Sequence, residues 1–318
     1  MTESKTKTIP ELHCNGVSWL CLQKSSKTAF DELQKEYNLH PVHLKESVQT
    51  IQLTQVEREE HYIFLLVHLP TFDVAHNRIK TSQVGIFLGR DFVITVHDGQ
   101  KSAVTALFDA CLADTVLAEE CTGQSTGFLL YSILKRLLED VSKTTETLLN
   151  ELDAVETLVF DNNKSDAYEI GKLRQKIIRL KRVVGPLQSV LADLAEQIND
   201  FTGEHLNKYY SNNAKLAHKL TEVIGEAQET IEIFKDADFT TSTEQTNQIL
   251  AVLTLVFTFT IPVTVLGTLY GMNVPLPGGL SNGAWTFFGT YTTLGLIIAA
   301  SVVMVGIMYA FFKNKRWF

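Results

Sequence analysis

Residues 245–312 read QTNQILAVLTLVFTFTIPVTVLGTLYGMNVPLPGGLSNGAWTFFGTYTTLGLIIAASVVMVGIMYAFF, 68 consecutive positions without Asp, Glu, Lys or Arg. A water-soluble domain does not sustain such a run, because charged residues belong on its surface and are almost never all hidden. The stretch divides at its Gly and Pro residues. Asn247–Tyr270 supplies 24 residues, about 36 Å as a helix and enough to cross a hydrocarbon core of about 30 Å. Trp285–Phe312 forms the second span, with Trp285, Tyr309 and Trp317 where aromatic belts lie. Gly271–Ala284 links them. The chain therefore reads as a membrane protein with both spans at its C-terminal end.

Charge sets the orientation. Lys313, Lys315 and Arg316 directly follow the second span and place the C-terminus in the cytoplasm. Two spans return the N-terminal part to the same side, so both termini are expected in the cytoplasm and the link outside a plasma (inner) membrane. The opening MTESKTKTIPELH lacks the apolar segment of a secretory signal. Residues 1–244 hold 25 basic and 36 acidic side chains, a balance that repels anions and concentrates cations. The whole chain, at −8, lacks the basic face that nucleic-acid binding needs. Four cysteines, Cys14, Cys21, Cys111 and Cys121, form no CxxC and read as reduced thiols. No GxxxxGK[ST] or HExxH is present, and the chain is not expected to be an enzyme.

The remainder reads as α+β. Residues 1–124 form a cytosolic mixed α/β domain, with strands expected at Val17–Leu22 and Tyr62–His68. Gly85–Leu88 and Phe92–His97 make a hairpin around Gly89-Arg90-Asp91, and helices are expected at Thr28–Glu36 and Val42–Ser47. Residues 125–246 form a long-helix stalk of three segments, Phe128–Phe160, Ala167–Ile198 and Leu206–Phe234. Asp161-Asn162-Asn163-Lys164 reads as the polar turn between the first two. Leu216, Leu220, Val223, Ala227, Ile231 and Phe234 make an apolar seam on the third. The boundaries are then 247–270 for the first transmembrane helix, 271–284 for the external loop, 285–312 for the second helix and 313–318 for the basic tail.

The first span is not a plain anchor. Asn247, Leu250, Thr254, Phe257, Ile261, Thr264, Thr268 and Gly271 fall on one stripe at 3- and 4-residue steps. A hydroxyl-bearing stripe in a membrane helix fits packing on its own copies or the lining of water. A two-span chain cannot enclose a pore alone, whereas a homo-oligomer repeats each stripe residue as a ring. The competing reading is that each Thr hydroxyl bonds back to its own helix and does nothing else. Pro262 is expected to bend the helix.

The span ends Leu269-Tyr270-Gly271-Met272-Asn273, then Val274-Pro275. Taken alone, this is a helix C-cap before a proline turn. Tyr-Gly-Met-Asn at the end of the penultimate span, ahead of a Lys/Arg-rich C-terminus, resembles the CorA family of magnesium and divalent-cation channels. The resemblance extends to Phe259–Thr264, to Leu39-His40-Pro41 with Leu44 and Glu46, to Gln83–Thr95 followed by a helix from Gly127, and to Lys313–Phe318.

What the resemblance implies is a funnel-shaped homopentamer whose stalk helices continue into the pore helix, passing Mg²⁺, with Co²⁺ and Ni²⁺ also open, and needing no organic cofactor. Its implied filter is Gly271, Met272 and Asn273, with Gly271 allowing a tight turn and Met272 packing behind it. Its implied pore lining is Asn247, Leu250, Leu253, Thr254, Phe257, Ile261, Thr264 and Thr268, the apolar members forming constrictions. Its implied regulatory metal residues are Asp73, Asp236 and Asp238. A position that is acidic in the family falls on Asn212, and the external loop has no acid. Alternatives are a ZntB-like zinc transporter, for which His40-x-x-His43 offers helical chelate spacing, and a membrane-anchored coiled-coil scaffold or metal sensor that transports nothing.

Overall fold

The computed structural model describes residues 9–24, 27–49, 53–99, 102–123, 125–160, 167–272 and 292–314. The expected turn at 161–164 and all of the external link beyond Met272 lie outside the described residues. The Cα framework divides into two units, residues 1–238 and 239–318.

The first unit is built on a six-stranded sheet. In chain order its strands are β1 (Glu11–Cys14), β2 (Val17–Gln23), β3 (Gln55–Arg58), β4 (Ile63–Asp73), β5 (Arg78–Leu88) and β6 (Phe92–His97), arranged β1-β2-β6-β5-β4-β3. Only β2 and β6 run parallel; every other neighbouring pair is antiparallel. β1 and β3 fall where the sequence reading has no strand. The β1–β2 hairpin turns on Asn15 and Gly16, both at positive φ (52° and 78°), the left-handed pair that a two-residue turn requires. β4 tolerates Pro70 because β3 pairs only with Ile63–Leu66 and leaves that stretch of edge free.

Both sheet faces are covered, which explains why β4 reads as a continuous apolar run. On one face Leu20, Leu22, Phe64, Leu66, Phe87 and Ile94 pack against α1 (Lys27–Glu36) and α2 (Pro41–Val48) through Ala29, Leu33 and Leu44. On the other, Trp19, Ile63, Leu65, Val84, Ile86 and Val93 share one core with α3 (Ala103–Ala113), α4 (Thr115–Thr122), α5 (Thr126–Phe160) and α6 (Ala167–Thr202), to which the first part of α7 (Asn207–Gly271) also contributes. Trp19 places its ring edge-on against Phe108 at 5.0 Å and donates Nε1–H to Thr95 Oγ1 at 3.1 Å. This single core reaches from Val17 to Phe234, so the boundary expected at 124/125 is not a packing boundary: the stalk helices are one wall of the α/β unit.

The α7 seam buries Leu220, Ala227, Ile231 and Phe234 as expected and differs at two positions. The buried residues are Tyr210, Asn213, Ala217, Leu220, Ile224, Ala227, Ile231 and Phe234, while Leu216 and Val223 are half-buried flanks. The observed steps alternate strictly between three and four, the spacing of a coiled-coil seam.

Gly123, Ser125 and Gly127 also spell the G-x-S-x-G pattern of nucleophile elbows, which the structure excludes. Gly123 closes α4 at φ 54°. Ser125 caps α5, accepting from Phe128 N at 3.1 Å and donating to Glu204 Oε2 at 2.6 Å. This is a helix–helix corner without a strand leading in. The thiols are all free. Hydrogen bonding with Cys121, then burial, pushes the Cys111 thiol far up, and the same bond holds Cys121 down at about 7. Alkylation of Cys121 followed by peptide mass spectrometry should therefore show a midpoint near pH 7, rising toward the ordinary thiol value in Cys111→Ala.

α2 sits closely on the sheet because β5 carries Gly85 beneath it: a Cβ there would lie 2.7 Å from Ser47 Cβ. Gln83 on the same strand donates its amide to the carbonyls of Glu46 (2.9 Å) and Ser47 (3.2 Å). Gly85→Ala should cost about 1–3 kcal/mol in chemical denaturation, an overpacking penalty, and Ser47→Gly in the same chain should recover part of it.

Candidate permeation helix and cation-binding residues

α7 is one uninterrupted helix of 65 residues, about 98 Å long. The expected first span is thus the C-terminal part of the helix that closes the α/β core. Helical hydrogen bonding runs through Pro262, whose missing N–H leaves the carbonyl of Thr258 without its usual partner. In the second unit, α7 and α8 (Thr292–Asn314) are both long and apolar enough to cross a membrane. α8 begins within the expected second span, and residues 285–291, with Trp285, lie outside the described set, as does Trp317.

The eight pore-lining candidates, Asn247, Leu250, Leu253, Thr254, Phe257, Ile261, Thr264 and Thr268, are all exposed in the single chain. Exposure alone does not distinguish them, since Ile249, Val252, Val256 and Val263 are exposed too. Position around the helix does. The covered residues of this segment are Leu255, Thr258, Phe259, Pro262 and Leu266, and Phe259 meets Phe312 of α8 edge-on at 6.5 Å. At 100° per residue, the Thr-bearing stripe is turned roughly 130° from that covered face.

Thr254, Thr260, Thr264 and Thr268 each donate their hydroxyl proton to a carbonyl one turn back, at Leu250 (2.7 Å), Val256 (2.8 Å), Thr260 (2.8 Å) and Thr264 respectively. The competing reading of these residues is thus present in the structure. It does not exhaust them, because a hydroxyl that has given its proton keeps lone pairs to accept from water.

Gly271 is the last helical residue and does not have positive φ; Met272 N donates to Leu269 O at 3.3 Å. That bond closes a turn over 269–272 that includes Gly271, and a Cβ on Gly271 would meet nothing within 4 Å. Met272, expected to pack behind it, is 55% exposed. Asn273 lies outside the described residues.

The acidic candidates differ from one another. Asp73, at the end of β4, is enclosed by Lys80 Nζ (2.7 Å), His76 Nδ1 (2.9 Å) and Arg78 Nε (3.4 Å). The Lys80 hydrogen bond, followed by that of His76, holds its carboxyl far below the usual range. Glu232 is bound by Arg174 of α6 and by Lys235 at 3.0 Å, which hold it low as well. Asp236 is exposed with Lys235 at 3.4 Å, Asp238 is half-buried two residues on, and Asn212 is exposed.

His40 and His43, with ring centroids 5.6 Å apart, do not act as a pair. His40 caps α2, its Nδ1 accepting from Val42 N at 3.3 Å, while His43 turns to Glu57 of β3 and approaches Glu46. That grouping was not readable in advance, because it depends on β3.

A sheet-based domain whose closing helix continues into the first of two apolar C-terminal helices, that helix bearing hydroxyls and ending at Gly271, is the architecture of a membrane-protein chain with two candidate spans. The chain belongs to the CorA-like Mg²⁺ transporter family, whose model matches residues 15–315. It is 21% identical over 282 residues to the cobalt/magnesium transport protein CorA of Thermotoga maritima, covering 88% of this chain and 77% of that protein. The complete structure of the CorA magnesium transporter from Methanocaldococcus jannaschii matches with a TM-score of 0.75 at 20% identity, over 95% of this chain and 92% of the other. The zinc transport protein ZntB of Vibrio parahaemolyticus is 26% identical over 190 residues, 58% of this chain and 56% of its own length. The chain is therefore a divalent-cation transporter of the CorA family.

The Asp73 cluster has a direct consequence in acid. A carboxyl held low in the folded state stabilises fully above its unfolded value near 3.9 and loses that contribution as the pH falls through the folded value. Lys80→Met removes the principal partner. Wild type should be the more stable protein by a constant margin above about pH 4, with the margin shrinking below it, followed by circular dichroism in urea.

Proposed function

We propose that the chain assembles as a homopentamer in which α7 lines a pore for passive uptake of Mg²⁺ across the plasma membrane, with both termini in the cytoplasm. The observation that carries this reading is the stripe Asn247–Thr268: uncharged, turned away from α8, and bearing hydroxyls already oriented by the helix. Mg²⁺ sheds its waters reluctantly, so a pore that selects it does best to bind the hydrated ion through neutral acceptors. Five copies of Asn273 at the mouth, with Gly271 and Met272, present side-chain carbonyls to those waters, and Thr268 and Thr264 continue the acceptors inward. Leu250, Leu253, Phe257 and Ile261 then form apolar constrictions that close by dewetting. A +2 ion gains about 4.6 kcal/mol per 100 mV, so the membrane potential suffices as the driving force.

Closure on cytosolic divalent cations is assigned to Asp73, Asp236 and Asp238. At Asp73 the ion competes with Lys80, and it succeeds only where a neighbouring subunit adds a second donor. The 271–284, 285–312 and 313–318 boundaries complete the arrangement as loop, second span and basic anchor. A second reading, zinc as cargo, is favoured by the 26% identity to ZntB.

The test is influx of Mg²⁺ into dye-loaded proteoliposomes at an inside-negative potential, with Zn²⁺, Co²⁺ and Ni²⁺ as competitors. Mg²⁺ influx that falls at least tenfold in Asn273→Ala supports the reading. Zinc flux without Mg²⁺ flux transfers the protein to the second reading. The absence of any flux from intact oligomers, with internal Mg²⁺ removed, overturns both.

A further inference from the structure

We propose that His43, Glu46 and Glu57 form a binding site for one transition-metal dication of the zinc and cobalt type, within the sheet-based unit. The inference stands whichever ion is the cargo.

One donor atom from each of the three residues lies within 4.8 Å of the other two, and this is the group of its kind among the described residues. The fold brings them together. His43 and Glu46 stand three apart on α2 and so share a face. Glu57 on β3 pairs in register with Phe64 of β4, and the His43 ring stacks on Phe64 at 4.5 Å and 14°. The imidazole thereby lies over the cross-strand partner of Glu57 and directs Nε2 to the Glu57 carboxylate at 2.9 Å.

Two of the three donors have an outer partner. Nδ1 of His43 is 2.8 Å from the Tyr62 hydroxyl, and that oxygen also accepts the backbone N–H of His40 at 3.0 Å. Gln55 donates its amide to Glu46 Oε2 at 3.0 Å, and Gln83 fixes the Glu46 backbone carbonyl. These are the contacts that orient ligands in metal sites. A metal on Nε2 requires the ring proton on Nδ1, where Tyr62 oxygen has a lone pair left to accept it.

One imidazole and two carboxylates suit Zn²⁺ or Co²⁺, whereas Mg²⁺ takes an all-oxygen, largely aqueous shell. Donors about 2.1 Å from a tetrahedral ion stand about 3.4 Å apart, so the present spread must contract slightly. Glu57, with half its side chain in solvent, is free to make that movement, while His43 at 4% is fixed. The solvent side of Glu57 leaves room for water as a fourth ligand.

The experiment uses the full-length protein in detergent with affinity tags removed and millimolar Mg²⁺ present to fill oxygen-only sites. Zn²⁺ is titrated by calorimetry, and Co²⁺ by its visible absorption. The expected result is one Zn²⁺ per chain that excess Mg²⁺ does not displace, weakened at least tenfold in Glu57→Gln and in His43→Ala, and a Co²⁺ band lost in both. Glu57→Gln is half-exposed and keeps the fold, so it decides the matter if His43→Ala does not fold. Undiminished Zn²⁺ binding in Glu57→Gln, displacement by Mg²⁺, or no Zn²⁺ binding by the wild type overturns the proposal.

Discussion

A helix satisfies its own backbone wherever it goes, so one helix can leave a protein core and enter another solvent without a break. α7 depends on this property. From Tyr210 to Phe234 its seam is buried against α5 and α6, and beyond Phe239 it exposes Ile249, Leu250, Val252 and Phe257 with no charge nearby. The apolar surface of α7 and α8 belongs in hydrocarbon or against further copies. Everything proposed about transport follows from the requirement that this surface be covered while one stripe keeps its hydroxyls.

The sheet imposes a second constraint. Because β4 and β5 are buried on both faces, polar groups at their ends must find partners locally. Lys176 of α6, only 5% exposed, shows how this is met: it reaches Asn77 and Glu151 at 2.6 Å each and lies over the Phe72 ring at 5.3 Å. Arg179 adds a bond to the Ile79 carbonyl. The hairpin end that carries Asp73 is thus tied to α5 and α6, and its acid is held by cations of its own strand pair. On the opposite face, Gly85 and Gln83 do the same for α2 and so for His43 and Glu46.

Much of this was legible in the chain. The charge-free run located α8 and the apolar part of α7, the apolar runs located β2, β4, β5 and β6, and the 3- and 4-residue spacing located α5, α6 and the first part of α7. The failures have physical causes. β1 and β3 are edge strands of four residues each, too short for the alternation in Glu11–Cys14 to stand out, although Asn15-Gly16 was a turn signal for the first. Two seam positions were misplaced by one residue: Leu216 is more hydrophobic than the Ala217 that the neighbours enclose, and Val223 and Ile224 are both apolar, so composition could not choose between them. A boundary placed at 124 reflected a change of secondary structure, which is not a change of core. Within the candidate site, the stripe on α7 could be read from periodicity alone, whereas the grouping of His43, Glu46 and Glu57 could not, since strand pairing brings Glu57 from eleven residues beyond Glu46.

The back-bonded threonines have one more consequence. Their protons are turned inward to the helix and only oxygen lone pairs face outward, so the stripe has an electrical polarity without having a charge. Such a surface welcomes the hydrogens of a cation's water shell, which turns both O–H bonds of each water outward, and offers less to an anion's, which turns outward only one. Fixed charges would achieve the same sorting, but dissolved salt screens them over about 10 Å at 0.1 M. Oriented dipoles at contact distance are not weakened in that way, and a pathway lined by them discriminates sign equally well in dilute and in concentrated media.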